Sequence, residues 1–141
     1  MTAPTPFGRG LLLDDGDLVF DGRRLREVEG LANLVQSLTL RVLTPFGSDR
    51  FNTGYGLDLA QVFAEPSGIR MVKELIKLNL VSTLSTDPRV REVRQVVFDD
   101  DLPDRPAERV REASHRRSWT VEVDLVTADG AALTLPVNVE V

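Results

Sequence analysis

The chain has 141 residues, is 42% hydrophobic and carries a formal net charge of -5. This suits one domain with a real core and argues against nonspecific nucleic-acid binding, which needs a positive surface to neutralise phosphates. The absence of cysteine excludes disulfides and thiolate catalysis.

The first ten residues, MTAPTPFGRG, are rich in Pro and Gly and read as mobile until bound. They lack the apolar core of a signal peptide, and no apolar run is long enough to span a bilayer, so assembly in the cytoplasm without membrane insertion is expected. LLLDDGDLVFDG follows, with Asp15-Gly16 between two short apolar runs. Two readings fit equally: a tight hairpin turn, or an irregular arm lying on a partner. Residues 1–25 are taken as an N-terminal arm and 26–141 as the domain proper.

Arg26 to Val42 reads as the first helix, with Leu31, Leu34, Val35, Leu38 and Val42 on one face. Pro45 and Gly47 close it. The connector Leu43 to Pro66 is polar and Gly-rich, and crowded with Asp49, Arg50, Asn52 and Tyr55. A second helix starts near Pro66-Ser67, with Ile69, Val72, Leu75, Ile76 and Leu80 as its stripe and Met71 packing at its margin. Asp87-Pro88 marks a turn that the helix does not reach.

Val90 to Phe98 suits a strand with one wet face. Residues 99–117 read as a charged surface excursion, with a short helical turn around Ala107 to Ser114. In the last part Trp119, Val121, Val123 and Leu125 alternate with polar residues, as do Leu133, Leu135, Val137 and Val139 beyond a turn at Ala128-Asp129-Gly130. Period two on both arms predicts a hairpin, with Trp119 in its core. Pro136 cannot donate to a ladder and favours an edge strand or a bulge. Such an edge can accept another chain's strand, although physics alone favours a plain edge that Pro136 protects. The fold class expected is α+β: a small single domain with two main helices packed on a mostly antiparallel sheet ending in a C-terminal β-hairpin.

Chemistry is sparse. Asp14, Asp15 and Asp17 cluster, as do Asp99, Asp100 and Asp101, but neither run has calcium-loop spacing, and both read as solvated acidic turns. No metal site, cofactor site or catalytic residue is expected. His115 lies between Ser114 and Arg116-Arg117, in solvent-like surroundings unsuited to nucleophilic catalysis. Asp58 and Glu65 are the one carboxylate pair worth weighing as a glycosidase couple. Two helical turns would separate them by roughly 10 Å, at or beyond the wide end for an inverting pair. The structural alternative has Asp58 capping the short helix and Glu65 pairing with Arg50 or Arg70. Gly54 and Gly56 bracket Tyr55 without a phosphate-cradle context, and suit positive backbone angles or close approach. Arg50 and Tyr55 are candidate interface anchors.

NLVQSLTLRVLTPFGSDRFNTGYGLDLAQVFAEP followed by SGIRMVKELIKLNLVSTLSTDPRVREVRQVVF resembles the phage T4 gene 25-like baseplate wedge proteins. These occur in contractile phage tails, type VI secretion systems and extracellular contractile injection systems. The shared features are the leading helix, L-T-P-x-G, a polar stretch ending in G-x-G-L, Glu-Pro, the second helix and D-P-R-V at a strand start. The likeness covers about Leu31 to Phe98 well, and the hairpin in outline.

The resemblance implies a structural role without chemistry: a wedge subunit of a phage virion or injection particle. It would link the wedge core to the first sheath ring and template sheath assembly. The implied partners are the sheath protein, larger wedge proteins and tube or hub proteins. The family's Glu-Pro-Arg signature stands here as Glu65-Pro66-Ser67. Glu65 and Pro66 therefore carry over and the arginine does not, with Arg70 or Arg50 as substitutes. The expected interface comprises Arg50, Asn52, Tyr55, Asp58, Glu65, Pro66 and Arg70, with Leu133, Leu135, Val137 and Val139 on the last strand. The alternatives are a peptidoglycan hydrolase using Glu65 and Asp58, and a soluble adaptor unrelated to tails.

Overall fold

The computed structural model describes residues 6–64, 68–101 and 118–141. The chain forms two compact units, Met1–Leu40 and Arg41–Val141.

In the first unit, three short antiparallel pairs share one junction. Strand β1 (Arg9–Leu11) pairs with β6 (Glu27–Glu29), β2 (Leu13–Asp14) with β3 (Asp17–Leu18), and β4 (Phe20–Asp21) with β5 (Arg24–Leu25). Leu12, Val19 and Arg26 meet at the centre. Leu12 N donates to Arg26 O at 2.9 Å and Arg26 N to Val19 O at 2.8 Å. Asp15 (φ 49) and Gly16 (φ 85) turn the chain between β2 and β3. Positive φ at both central residues is what a two-residue type I′ hairpin needs. Of the two readings of this segment, the tight hairpin is the one found.

Helix α1 spans Gly30–Leu43, so it begins four residues later than Arg26. Glu27–Glu29 are strand instead, because Arg9–Leu11 supplies a partner ladder that a sequence window cannot foresee. The expected stripe shifts accordingly. Leu34 and Leu38 are fully buried, Leu31 is exposed, and Asn33 is buried. Asn33 Nδ2 donates to Phe7 O at 2.9 Å. Gln36 donates through Nε2 to Leu11 O at 2.7 Å and accepts from Leu13 N at 3.0 Å. Two helix amides thus tie the strand cluster to α1 within this unit.

In the second unit, a short helix α2 (Ala60–Ala64) precedes α3 (Ile69–Ser85). Val72, Ile76, Leu80 and Leu84 are fully buried, at the spacing of one helical face. Met71 is exposed rather than packed at the stripe margin, because its position points off that face. Strand β7 (Val90–Phe98) follows, and α3 packs against it. Strands β8 (Ser118–Thr127) and β9 (Ala132–Glu140) complete a sheet of order β7-β8-β9, antiparallel throughout.

The inward set on β8 is Trp119, Val121, Val123 and Leu125, and on β9 it is Leu135, Val137 and Val139. Gly130 (φ 90) closes the three-residue hairpin loop, where Gly130 N donates to Thr127 O at 2.9 Å. The fold is a small α+β one, with two main helices, an antiparallel sheet and a C-terminal hairpin.

Candidate functional site: an outer sheet edge and the connector beside it

The connector is a braced loop. Phe46 N donates to Leu57 O at 3.1 Å, Leu57 N to Thr44 O at 2.9 Å, and Gly47 N to Tyr55 O at 3.4 Å. Thr83 Oγ1, on α3, donates to Gly56 O at 2.7 Å. Gly56 has φ 111 and is buried. An added Cβ would collide with the Thr44 carbonyl oxygen and lie 2.9 Å from the Pro45 carbonyl carbon. Gly56→Ala is therefore expected to destabilise the protein by about 3 kcal/mol, since backbone cannot yield as a side-chain tip does. A denaturant melt measures it.

Around this brace sit Arg41, Tyr55, Asp87 and Arg89. The Arg41 guanidinium stacks 4.5 Å above the Tyr55 ring and donates to Thr86 Oγ1 at 2.8 Å. Arg89 holds Asp87 as a two-pronged fork, Nε to Oδ1 at 2.9 Å and NH2 to Oδ2 at 2.7 Å. That hydrogen bonding holds the Asp87 carboxyl below the usual carboxylate range, against the opposing pull of burial. Burial pushes the Tyr55 phenol up. These groups are engaged with one another, so they fix the loop's shape.

The tip of the loop is held by Asp49, whose Oδ1 accepts from Phe51 N at 2.9 Å and from Asn52 N at 3.3 Å. Phe51 is completely exposed, and Leu43 and Phe46 are half exposed or more. The sequence reading passed over these three apolar side chains. The signal was present in Phe51, an aromatic residue inside the polar run Asp49 to Thr53.

Beside the connector, β9 is an outer strand. Thr127 N donates to Ala131 O at 2.9 Å, which sets the phase of the ladder. Hydrogen-bonded and non-bonded pairs then alternate along an antiparallel pair. Leu125↔Leu133, Val123↔Leu135, Val121↔Val137 and Trp119↔Val139 fall in the bonded phase. Thr134, Pro136, Asn138 and Glu140 therefore aim their backbone groups at the outer edge. Pro136 loses no ladder bond, because its missing N–H is one that would face outward. This explains how a proline sits in the middle of β9, where an edge strand was expected.

An open groove of about 560 Å³ runs along the far end of this edge. Its floor and walls are Val42, Leu43, Pro45, Phe46, Leu57 and Leu59, and Asn138, Val139, Glu140 and Ser118 form the sheet side. Asp58 lies on its rim and accepts from Ala60 N at 3.0 Å, a turn that starts α2 as the capping alternative foresaw.

The other expected site residues are scattered. Arg50 and Asn52 are exposed at the loop tip, and the Asn52 carbonyl accepts from Tyr55 N at 3.1 Å. Arg70 is exposed in the first turn of α3. Leu133 is half buried, while Leu135, Val137 and Val139 face the core. Glu65, Pro66, His115 and the helical turn expected around Ala107 to Ser114 lie outside the described residues.

The acidic run at 99–101 corrects the sequence reading. It is a 3-10 turn, and Asp100 is not solvated: its side chain is 3% exposed. Asp100 Oδ1 accepts from Lys73 Nζ at 2.5 Å, and Oδ2 accepts from Trp119 Nε1 at 3.0 Å. Phe98 meets Trp119 edge-on at 5.9 Å. Nothing local distinguishes Asp100 from its neighbours, because only the tertiary fold brings Trp119 and Lys73 to it.

Among the described residues no group of His, Asp or Glu is placed to hold a metal, and no helix is long and apolar enough to cross a membrane. A scan against protein-family models and a search of curated proteins each returned no match.

Proposed function

We propose that this chain is a structural subunit of a contractile tail or injection particle, a baseplate wedge component that joins larger wedge proteins to the first sheath ring. Its working part in this reading is the outer edge of β9, which takes up an extended strand from a partner. The observation that carries the reading is the ladder phase of β9. Thr134, Asn138 and Glu140 each present an N–H and a C=O outward, and among the described residues none of these groups has a backbone partner. Main-chain pairing along such an edge supplies affinity without catalytic groups. The resemblance of Leu31 to Phe98 to the wedge family supports the same role.

Asn138→Pro tests it. The substitution deletes an outward N–H, together with the exposed side-chain bond that Thr120 Oγ1 donates to Asn138 Oδ1 at 3.1 Å, and leaves the β8–β9 backbone ladder intact, as Pro136 already does. The variant is expected to fold like the parent by circular dichroism and thermal melting, yet to recover no sheath protein when a tagged copy is purified from particle-producing cells. Val137→Pro is the contrast. It removes an N–H in the bonded phase and is expected to destabilise the sheet by about 3 kcal/mol. Undiminished sheath recovery by Asn138→Pro would sink the edge as the working part. Failure of the parent chain to recover sheath or large wedge proteins would sink the wedge role.

A further inference from the structure

We infer that the segment accepted at β9 is an extended stretch of a partner protein alternating basic and apolar residues, docked on the portion of the edge beyond Pro136. This rests on the strand-accepting reading above and adds the chemistry of the guest.

Pro136 divides the edge. It offers a carbonyl and no N–H, so a continuous guest ladder is interrupted there. Beyond it, Asn138 and Glu140 both point N–H and C=O outward, and this stretch is the part that borders the groove. Pairing at two successive outward residues and capture in the apolar groove therefore coincide at this end of β9.

Sheet alternation then assigns the guest's side chains. A guest residue opposite Val139 projects to the same face as Val139, which is the buried one. There it meets Val42, Leu57 and Leu59 along the groove, so it must be apolar. Its two neighbours, opposite Asn138 and Glu140, project to the wet face. The ionisable groups lining the groove are Asp58 and Glu140, both acidic, and neither has an ionic partner among the described residues. Of the two, Glu140 alternates with buried Val139 and so projects to the wet face, where it directly opposes one flanking guest residue and lies diagonal to the other, within reach of a long side chain; opposite charges across a strand pair attract, so these flanking residues are Lys or Arg. A second copy of this chain fits poorly, since its own β9 would bring Glu140 to an already acidic edge and its net charge is -5.

The test uses the full chain and two labelled, monomeric, extended peptides, one alternating lysine with valine and one alternating glutamate with valine, read by fluorescence anisotropy. The lysine peptide is expected to bind about tenfold more tightly, with the preference shrinking as salt rises. Glu140→Lys is expected to remove or invert the preference, and Asn138→Pro to abolish binding of both peptides. Equal binding, or tighter binding of the glutamate peptide, that Asn138→Pro still abolishes would overturn the basic guest and leave strand acceptance standing. Binding that survives Asn138→Pro, or no binding of either peptide, would overturn both. Concentration-dependent dimerisation of the chain, lost in Asn138→Pro, would make a second copy the occupant and overturn the basic guest.

Discussion

Replacing Asp100 by alanine is expected to destabilise the protein by about 3 kcal/mol, because it leaves an indole N–H unpaired and a part-buried ammonium with the exposed Asp101 alone. The Lys73 side chain is 14% exposed and its ammonium lies 5.4 Å from the Phe98 ring centroid, so water does little to replace the lost carboxylate. Asp101 remains near Lys73 Nζ at 2.9 Å, but its side chain is 52% exposed and screened. Asp101→Ala is therefore expected to shift stability by less than about 1 kcal/mol. A comparison of urea midpoints separates the two.

The pH dependence has a definite sign. Burial pulls the Lys73 ammonium down, but the hydrogen bonds it donates to Asp100 and Asp101 outweigh it, and the net shift is upward from 10.5. A raised folded value stabilises the fold fully below the unfolded lysine value and is lost as pH rises through the folded one. The parent should lose this stabilisation only above about pH 10.5, and Asp100→Ala should show a flatter alkaline limb. An unchanged alkaline limb in Asp100→Ala would mean the pair does not couple to folding.

Deleting β9 is expected to unfold the second unit rather than to silence a contact. Leu135, Val137 and Val139 are each under 5% exposed, and burial of such side chains stabilises by about 2 kcal/mol apiece. Their sum, about 6 kcal/mol, is comparable with the whole stability of a small domain. The β8 edge left behind would expose Trp119, Val121 and Val123, an aggregation-prone surface. Removing the last strand therefore cannot separate assembly from folding, whereas the single outward N–H of Asn138 can. A folded, monomeric deletion variant, shown by circular dichroism and sedimentation, would contradict this.

Much of the fold is legible along the chain because its signals are periodic and local. Strand β7 occupies Val90 to Phe98 as its apolar pattern indicated, and the two arms of the hairpin keep period two with Trp119 inside. The stripe of α3 from Val72 to Leu80 follows from 3.6-residue spacing alone. At Asp15-Gly16 the sequence left a tight turn and an irregular arm equally open, and the two positive φ angles of the folded chain select the turn.

What remained hidden depends on partners distant in sequence. Glu27–Glu29 became strand because Arg9–Leu11 lies alongside, which overrode a helical pattern running through them. Asp100 left the solvent because Lys73 and Trp119 converge on it from 27 and 19 residues away. The outward phase of Asn138 and Glu140 could not be read from alternation, which tells which side chains are buried but not which way the backbone hydrogen bonds point. By itself the sequence determined the class, the presence of the two helices and the core faces of α3 and the hairpin, since burial patterning is written at the period of each element. Tertiary structure alone decided the buried ion pair, the groove and the usable stretch of the edge, since each exists only where residues far apart in the chain are brought within bonding distance.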